Sequence, residues 1–148
     1  MSVTENPQWA KPLPRPDNVS RDYWAAAARG ELVIQECVSC GERQFYPRAF
    51  CTSCGGETRW ITASGQGIVH TFTVIRQYGM PPFKDELPYV VAMVKIAEGP
   101  MIMGNVTGCP VDDVHIGMPV EVQFTKIDDE IGIPNWVSSR PRSTPPSS

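Results

Sequence analysis

Cys37-Val-Ser-Cys40-Gly41 and Cys51-Thr-Ser-Cys54-Gly55 give the spacing C-x2-C-x10-C-x2-C, with a glycine behind each pair. Two cysteines three apart on a tight turn aim both sulfurs at one point. The glycine lets the backbone turn so that amides face the sulfurs, and two such turns complete a tetrahedron of thiolates. The pattern therefore predicts one metal ion held by Cys37, Cys40, Cys51 and Cys54. Zinc is the usual occupant of a closed four-thiolate site, and iron takes the same ligands. A pair of disulfides or a redox dithiol is the competing reading, and the second matching pair weighs against both. Four sulfurs leave no coordination position for water or substrate, so the expected role is structural. The segment between Glu31 and Ser64 is too short to build much of a core of its own, and metal binding would supply its folding energy.

The chain has five cysteines, so Cys109 is left over; in its Gly-Cys-Pro turn it reads as a half-buried, inert thiol. His70 falls in an alternating strand and His115 in a turn, and neither stands near a nucleophile in sequence. No nucleophile elbow, phosphate loop or dinucleotide fingerprint is present, so the residues for stand-alone catalysis are thin. Residues 1 to 60 carry seven Lys/Arg against seven Asp/Glu, and residues 61 to 148 carry six against nine, which puts the whole net charge of -3 in the second part. Four thiolates with one divalent ion add -2, taking the chain to about -5. Neither part offers the positive surface that phosphate contacts need, so no nucleic-acid partner is expected. The first 16 residues are polar and hold four prolines, nothing in them reads as a signal peptide, and no apolar run suits a membrane span. The expectation is a cytoplasmic, soluble chain.

The chain divides into four parts. Residues 1–19 read as an extended, Pro-rich arm that orders by lying on another surface. Residues 20–64 hold a helix and the metal ribbon: Ser20 is placed to cap, four alanines favour helix, and Gly30 ends it, which predicts a helix over 21–29. Residues 65–138 hold five strand-like runs, 67–77, 88–97, 101–107, 118–127 and 131–138, separated by Gly, Pro and Asp. Val120, Val122 and Phe124 alternate with polar residues, the pattern of a strand with one buried face, while Tyr89–Ile96 is apolar on both faces and reads as a central strand. Five short strands with almost no helix predict a small barrel of the OB-fold type. Residues 139–148 read as a flexible tail. The segment from Gln77 to Leu87 is too apolar for an idle loop, which makes Tyr78, Met80 and Phe83 candidate contacts for a partner or ligand, or else a cover for the barrel's own core. Trp24 on the helix and Trp136 in Ile133-Pro-Asn-Trp-Val137 are candidates for the same surface, with core packing the alternative for Trp136.

Beyond these patterns, Tyr23-Trp24-Ala-Ala, Leu32-Val-Ile-Gln, the two Cys-Gly knuckles, Gln44-Phe-Tyr-Pro-Arg48, Gly67-x-Val69-x-Thr71-Phe-Thr-Val74, Pro88-Tyr-Val-Val-Ala92 and Ile116-Gly-Met-Pro-Val120 follow one another in order. Over residues 20 to 138 the chain resembles the acyl-CoA-associated family that joins a rubredoxin-like zinc ribbon to an OB-fold, small companion subunits of thiolase-like enzymes such as the benzoylsuccinyl-CoA thiolase. The resemblance implies zinc on the four ribbon cysteines and a hetero-oligomer with a thiolase-like catalytic subunit that carries the catalytic residues. It also implies a complex that performs thiolytic or retro-aldol C–C cleavage, or acyl transfer, on coenzyme A thioesters. Arg43, Arg48, Arg76 and Lys84 are available for CoA phosphates, although no spacing singles them out. Two other readings stay open at this stage: a nucleic-acid-binding OB module with a structural zinc ribbon, and a rubredoxin-like iron electron carrier.

Overall fold

The structure is a computed structural model that describes residues 2–6, 9–77 and 80–139. Tyr78 and all but the first residue of the 139–148 tail lie outside the described residues. The elements are β1 (Ser2–Glu5), α1 (Arg21–Ala28), β2 (Val33–Cys37), β3 (Arg43–Gln44), β4 (Thr58–Thr62), β5 (Gln66–Ile75), β6 (Tyr89–Ile96), β7 (Met101–Thr107), β8 (Pro119–Lys126) and β9 (Gly132–Ser138), with short 3-10 turns at Phe83–Glu86 and Val111–Asp113.

The last five strands close on themselves. β5 pairs with β6 and β6 with β7, both antiparallel; β7 meets β9 in parallel, β9 pairs antiparallel with β8, and β8 returns to β5 at Gln66↔Glu121 to Ile68↔Pro119. This ring order is the OB-fold barrel, and its strands fall within one residue or two of the five strand-like runs. The inward positions of β8 (Val120, Val122, Phe124) and of β6 (Val90, Ala92, Val94, Ile96) form the core with Val69, Ile102, Val106 and Trp136. β5 shifts register between Val69 and Thr71, a bulge of the kind that lets a small barrel bend to closure.

β2, β3 and β4 form a separate sheet in the order β3-β2-β4, the ribbon that carries the cysteines. Ribbon and barrel nevertheless share one core, because Leu32, Ile34 and Ala63 are buried in the same cluster as the barrel residues. α1 joins them. Its buried face, Tyr23, Ala26 and Ala27, lies against β8 and β9, and the small alanines let it approach so closely that a Cβ on Gly132 would fall 2.4 Å from the Ala27 carbonyl carbon. The helix begins differently from the sequence expectation. Ser20 makes no side-chain cap; its Oγ donates to Asp17 Oδ1 at 2.8 Å, and Asp17 Oδ1 also accepts from the Ser20 and Val19 amides, so Asp17 organises the turn. These donors hold the Asp17 carboxyl below the usual carboxylate range, with the Ser20 amide the largest cause.

Within the N-terminal arm, β1 runs parallel to β8 from Ser2↔Gln123 to Glu5↔Lys126. β5 covers the same strand only as far as Glu121, so β1 fills a stretch of ladder that would otherwise be an open edge. Farther along the arm, Lys11 reaches Glu86 at 2.8 Å and sits 4.7 Å from the centre of the Trp9 ring.

Candidate metal centre

The two knuckles are copies of one geometry. In the first, the Cys37 amide donates to the Glu42 carbonyl at 2.8 Å and the Gly41 amide back to the Cys37 carbonyl at 3.1 Å; in the second, the Cys51 amide donates to Gly56 and the Gly55 amide to Cys51, both at 2.9 Å. Gly41 and Gly55 share a φ of +76°, left-handed backbone that suits glycine, and this is why a glycine follows each pair. The turns aim amides at sulfur: Ser39 and Cys40 N–H groups lie 3.4 Å from Cys37 Sγ, and Ser53 N–H lies 3.4 Å from Cys51 Sγ.

The four Sγ atoms lie within 4.8 Å of one another, with Cys37–Cys54 at 3.5 Å and Cys40–Cys51 at 3.7 Å. A tetrahedron with metal–sulfur bonds of about 2.3 Å has sulfur–sulfur edges of about 3.8 Å, so the cluster has the size that zinc requires. The surroundings fit as well. A Cβ on Gly56 would fall 3.2 Å from Cys54 Sγ, 3.2 Å from Ser39 Oγ and 3.3 Å from Cys37 Sγ, so any larger residue would press on two of the sulfurs. Backbone N–H donation, led by Cys40, brings the Cys37 thiol down to about 6 against the cost of burial, and Cys51 is lowered likewise, led by the Cys54 amide. Cys40 goes the other way, to about 12: the Glu42 amide pulls it down, but burial and the neighbouring thiols outweigh that pull. Four sulfurs this close share protons when alone; a dication replaces those protons and leaves four thiolates.

The ribbon is braced beside the cluster by residues that the sequence patterns did not single out. Glu36, next to Cys37, accepts from Arg43 Nε at 3.0 Å and from Arg59 at 2.5 Å, tying all three ribbon strands together, and these partners hold its carboxyl below the usual range, Arg59 first. Gln35 is 5% exposed and paired at both ends of its amide: its Nε2 donates to the Arg48 carbonyl, and its Oε1 accepts from Gln44 Nε2 and the Arg48 amide, each at 2.8 Å. Such a buried amide can be tolerated only when paired in this way.

The candidate contact residues differ in exposure. Met80 is exposed at the surface, Phe83 is half-buried with its ring 6.4 Å from Tyr89, and Trp24 is half-buried, edge-on to Tyr23 at 4.9 Å. Trp136 is a correction: at 1% exposure it fills the barrel core and offers no surface to a partner. The reason is Gly104 on β7, opposite the indole, where any Cβ would come within 3.0 Å of Trp136 Cδ1. The four basic residues considered for CoA phosphates do not converge: Arg43 binds Glu36, Arg48 lies over Tyr46, Arg76 faces Asp112 at 3.9 Å, and Lys84 sits in the Phe83–Glu86 turn. His70 and His115 are both exposed, and Cys109 is half-buried.

Residues 24–58 match the family described as the ChsH2 rubredoxin-like zinc ribbon domain, and residues 60–125 match the ChsH2 C-terminal OB-fold domain. The chain is 34% identical over 122 residues to a DUF35 domain-containing scaffold protein of Methanocaldococcus jannaschii, covering 81% of this chain and 86% of that protein. It is 32% identical over 131 residues to a probable enoyl-CoA hydratase alpha subunit of Thermomonospora curvata; there it covers 88% of this chain and spans 40% of the relative's length. Among solved structures, a chain of the Ltp2-ChsH2(DUF35) aldolase superposes with a TM-score of 0.76 at 30% identity, covering 86% of this chain and 99% of that one.

Proposed function

The chain belongs to the DUF35 family of scaffold proteins, a ChsH2-type zinc ribbon joined to an OB-fold, and on that premise we propose that it is the non-catalytic companion subunit of a thiolase-like acyl-CoA enzyme in the cytoplasm. The partner performs thiolytic or retro-aldol C–C cleavage, or acyl transfer, on a CoA thioester. The ribbon cysteines bind zinc, and this chain holds the partner in its working form and borders the acyl-CoA, with Met80, Phe83 and Trp24 at the contact. One observation carries this reading: the likeness to a chain of the Ltp2-ChsH2(DUF35) aldolase runs over nearly all of that chain, ribbon and barrel together. The chemistry agrees, since four thiolates close the coordination sphere and leave the metal a structural task.

The test is co-expression of the tagged chain with the thiolase-like subunit encoded nearest to it, followed by purification and metal analysis. The expected product is a colourless complex with one zinc per copy of this chain and acyl-CoA activity. A chain that holds no such subunit and binds oligonucleotides tightly would overturn the reading. A red protein with iron absorption would overturn the metal assignment.

A further inference from the structure

An antiparallel barrel in water alternates buried and polar positions along each strand, and β8 obeys: its outward residues are Glu121, Gln123 and Thr125. β6 and β7 do not. Their outward residues include Val91, Met93, Met101 and Met103, and Met103 is 67% exposed. Met93 and Met103 are direct cross-strand neighbours, so the methionines form one surface rather than scattered exceptions. That surface continues into a groove of about 460 Å³, walled by Trp24 of α1 and Phe45 and Tyr46 of the ribbon on one side and by Ile133 and Pro134 of β9 on the other. At the opposite end the Phe83 ring rests 6.4 Å from Tyr89, the first outward residue of β6, which joins the face to the Met80–Glu86 segment.

Two cations stand next to residues that line the groove. Lys95 stands opposite Met101 in the register, and the Arg48 guanidinium lies 5.9 Å from the centre of the Tyr46 ring; among the described residues neither is paired with a carboxylate. Trp24, on the groove wall, keeps its indole N–H buried without an acceptor among the described residues. Residues 140–148 have the wrong sign to fill this groove, since they carry Arg140 and Arg142 and no acidic side chain. Methionine suits a surface that adapts to another chain, and an apolar stripe with cations beside it that meet no carboxylate among the described residues fits apolar side chains flanked by acids.

We propose that the outward face of β6 and β7, with the Trp24–Tyr46 groove, is where the thiolase-like subunit docks, through a segment whose apolar side chains enter the groove and whose Asp or Glu residues meet Lys95 and Arg48. This rests on the companion-subunit reading and names the surface that serves it.

The test uses the full chain and, as probe, the purified thiolase-like subunit encoded nearest to it. Met103→Asp should weaken binding at least about tenfold, since a carboxylate then lies in the apolar centre and beside the acids of the partner. The double variant Arg48→Glu, Lys95→Glu should weaken it at low salt and lose the salt dependence that the natural chain shows. Thermal melting of each variant checks the fold, and Met101→Asp repeats the test should Met103→Asp melt early. Binding within about twofold of the natural chain in both charge and methionine variants would overturn the docking face and leave the companion reading intact. A natural chain that binds no such subunit would overturn both. A self-dimer that Met103→Asp dissolves would also overturn the proposal, by making this face an interface between copies.

Discussion

Replacing Gly132 by Ala probes how the helix is seated on the barrel. Gly132 does not have positive φ, so alanine costs nothing through the backbone conformation, and the effect is steric. The added Cβ would stand 2.4 Å from Ala27 C, 2.4 Å from Ala28 N and 2.5 Å from Ala27 O. Ordinary carbon contacts begin near 3.5 Å, so α1 must retreat by about 1 Å, and because the obstacle is backbone no rotamer change avoids it. Retreat would loosen Tyr23, Ala26 and Ala27, which are buried beneath the helix. Overpacking of this kind costs about 1–3 kcal/mol, and a helix that must move as a body belongs at the upper end. For a chain of this size each kcal/mol is worth about 2–4 °C, so melting followed by far-UV circular dichroism should fall by about 6–12 °C. The same shift moves Trp24 and should weaken partner binding. A melting point within about 2 °C of the natural chain would refute the seating of α1 described above.

Three further outcomes are expected. A strong chelator should loosen the Cys37–Glu57 region, seen as faster amide exchange there, while β5–β9 stay protected, because the barrel core is mostly its own; unchanged exchange in the knuckles would rule out a metal that supports the ribbon. Gly56→Ala should lower zinc affinity by about tenfold or more in a competition with a chromophoric chelator, since its Cβ crowds Cys37 and Cys54; an unaltered affinity would mean that Gly56 does not shape the site. Glu36 has its folded pKa depressed by Arg59 and Arg43, so its contribution to stability is present above the unfolded value near 4.3 and is lost as pH falls through the lower folded value. The melting difference between the natural chain and Glu36→Gln should therefore be steady at neutral pH and close below about pH 4, and a difference that grows in acid would contradict the sign.

The elements most legible in sequence were those whose signals are local. The knuckles announce themselves because ligand spacing and the following glycine are both short-range requirements, and β8 does so because one buried face imposes period two on Val120, Val122 and Phe124. β1 was invisible as a strand: Ser-Val-Thr-Glu has no pattern of its own and becomes a strand only because β8 offers an open edge more than a hundred residues later. Trp136 could be read two ways because its burial depends on Gly104 across the barrel, a pairing that no stretch of sequence displays. Ser20 looked like the cap by residue type, yet Asp17, three residues earlier, takes the amides. Gln35 and Glu36 brace the ribbon through partners at positions 43 to 59, which only the folded sheet brings together.

The most direct test of the companion role is a titration of this chain, zinc-loaded, into its thiolase-like subunit while acyl-CoA turnover is followed. The account predicts low activity of either protein alone and a rise that saturates at a fixed ratio, coincident with co-elution of the two. A subunit that is fully active by itself, neither changed by nor co-eluting with this chain, would contradict it.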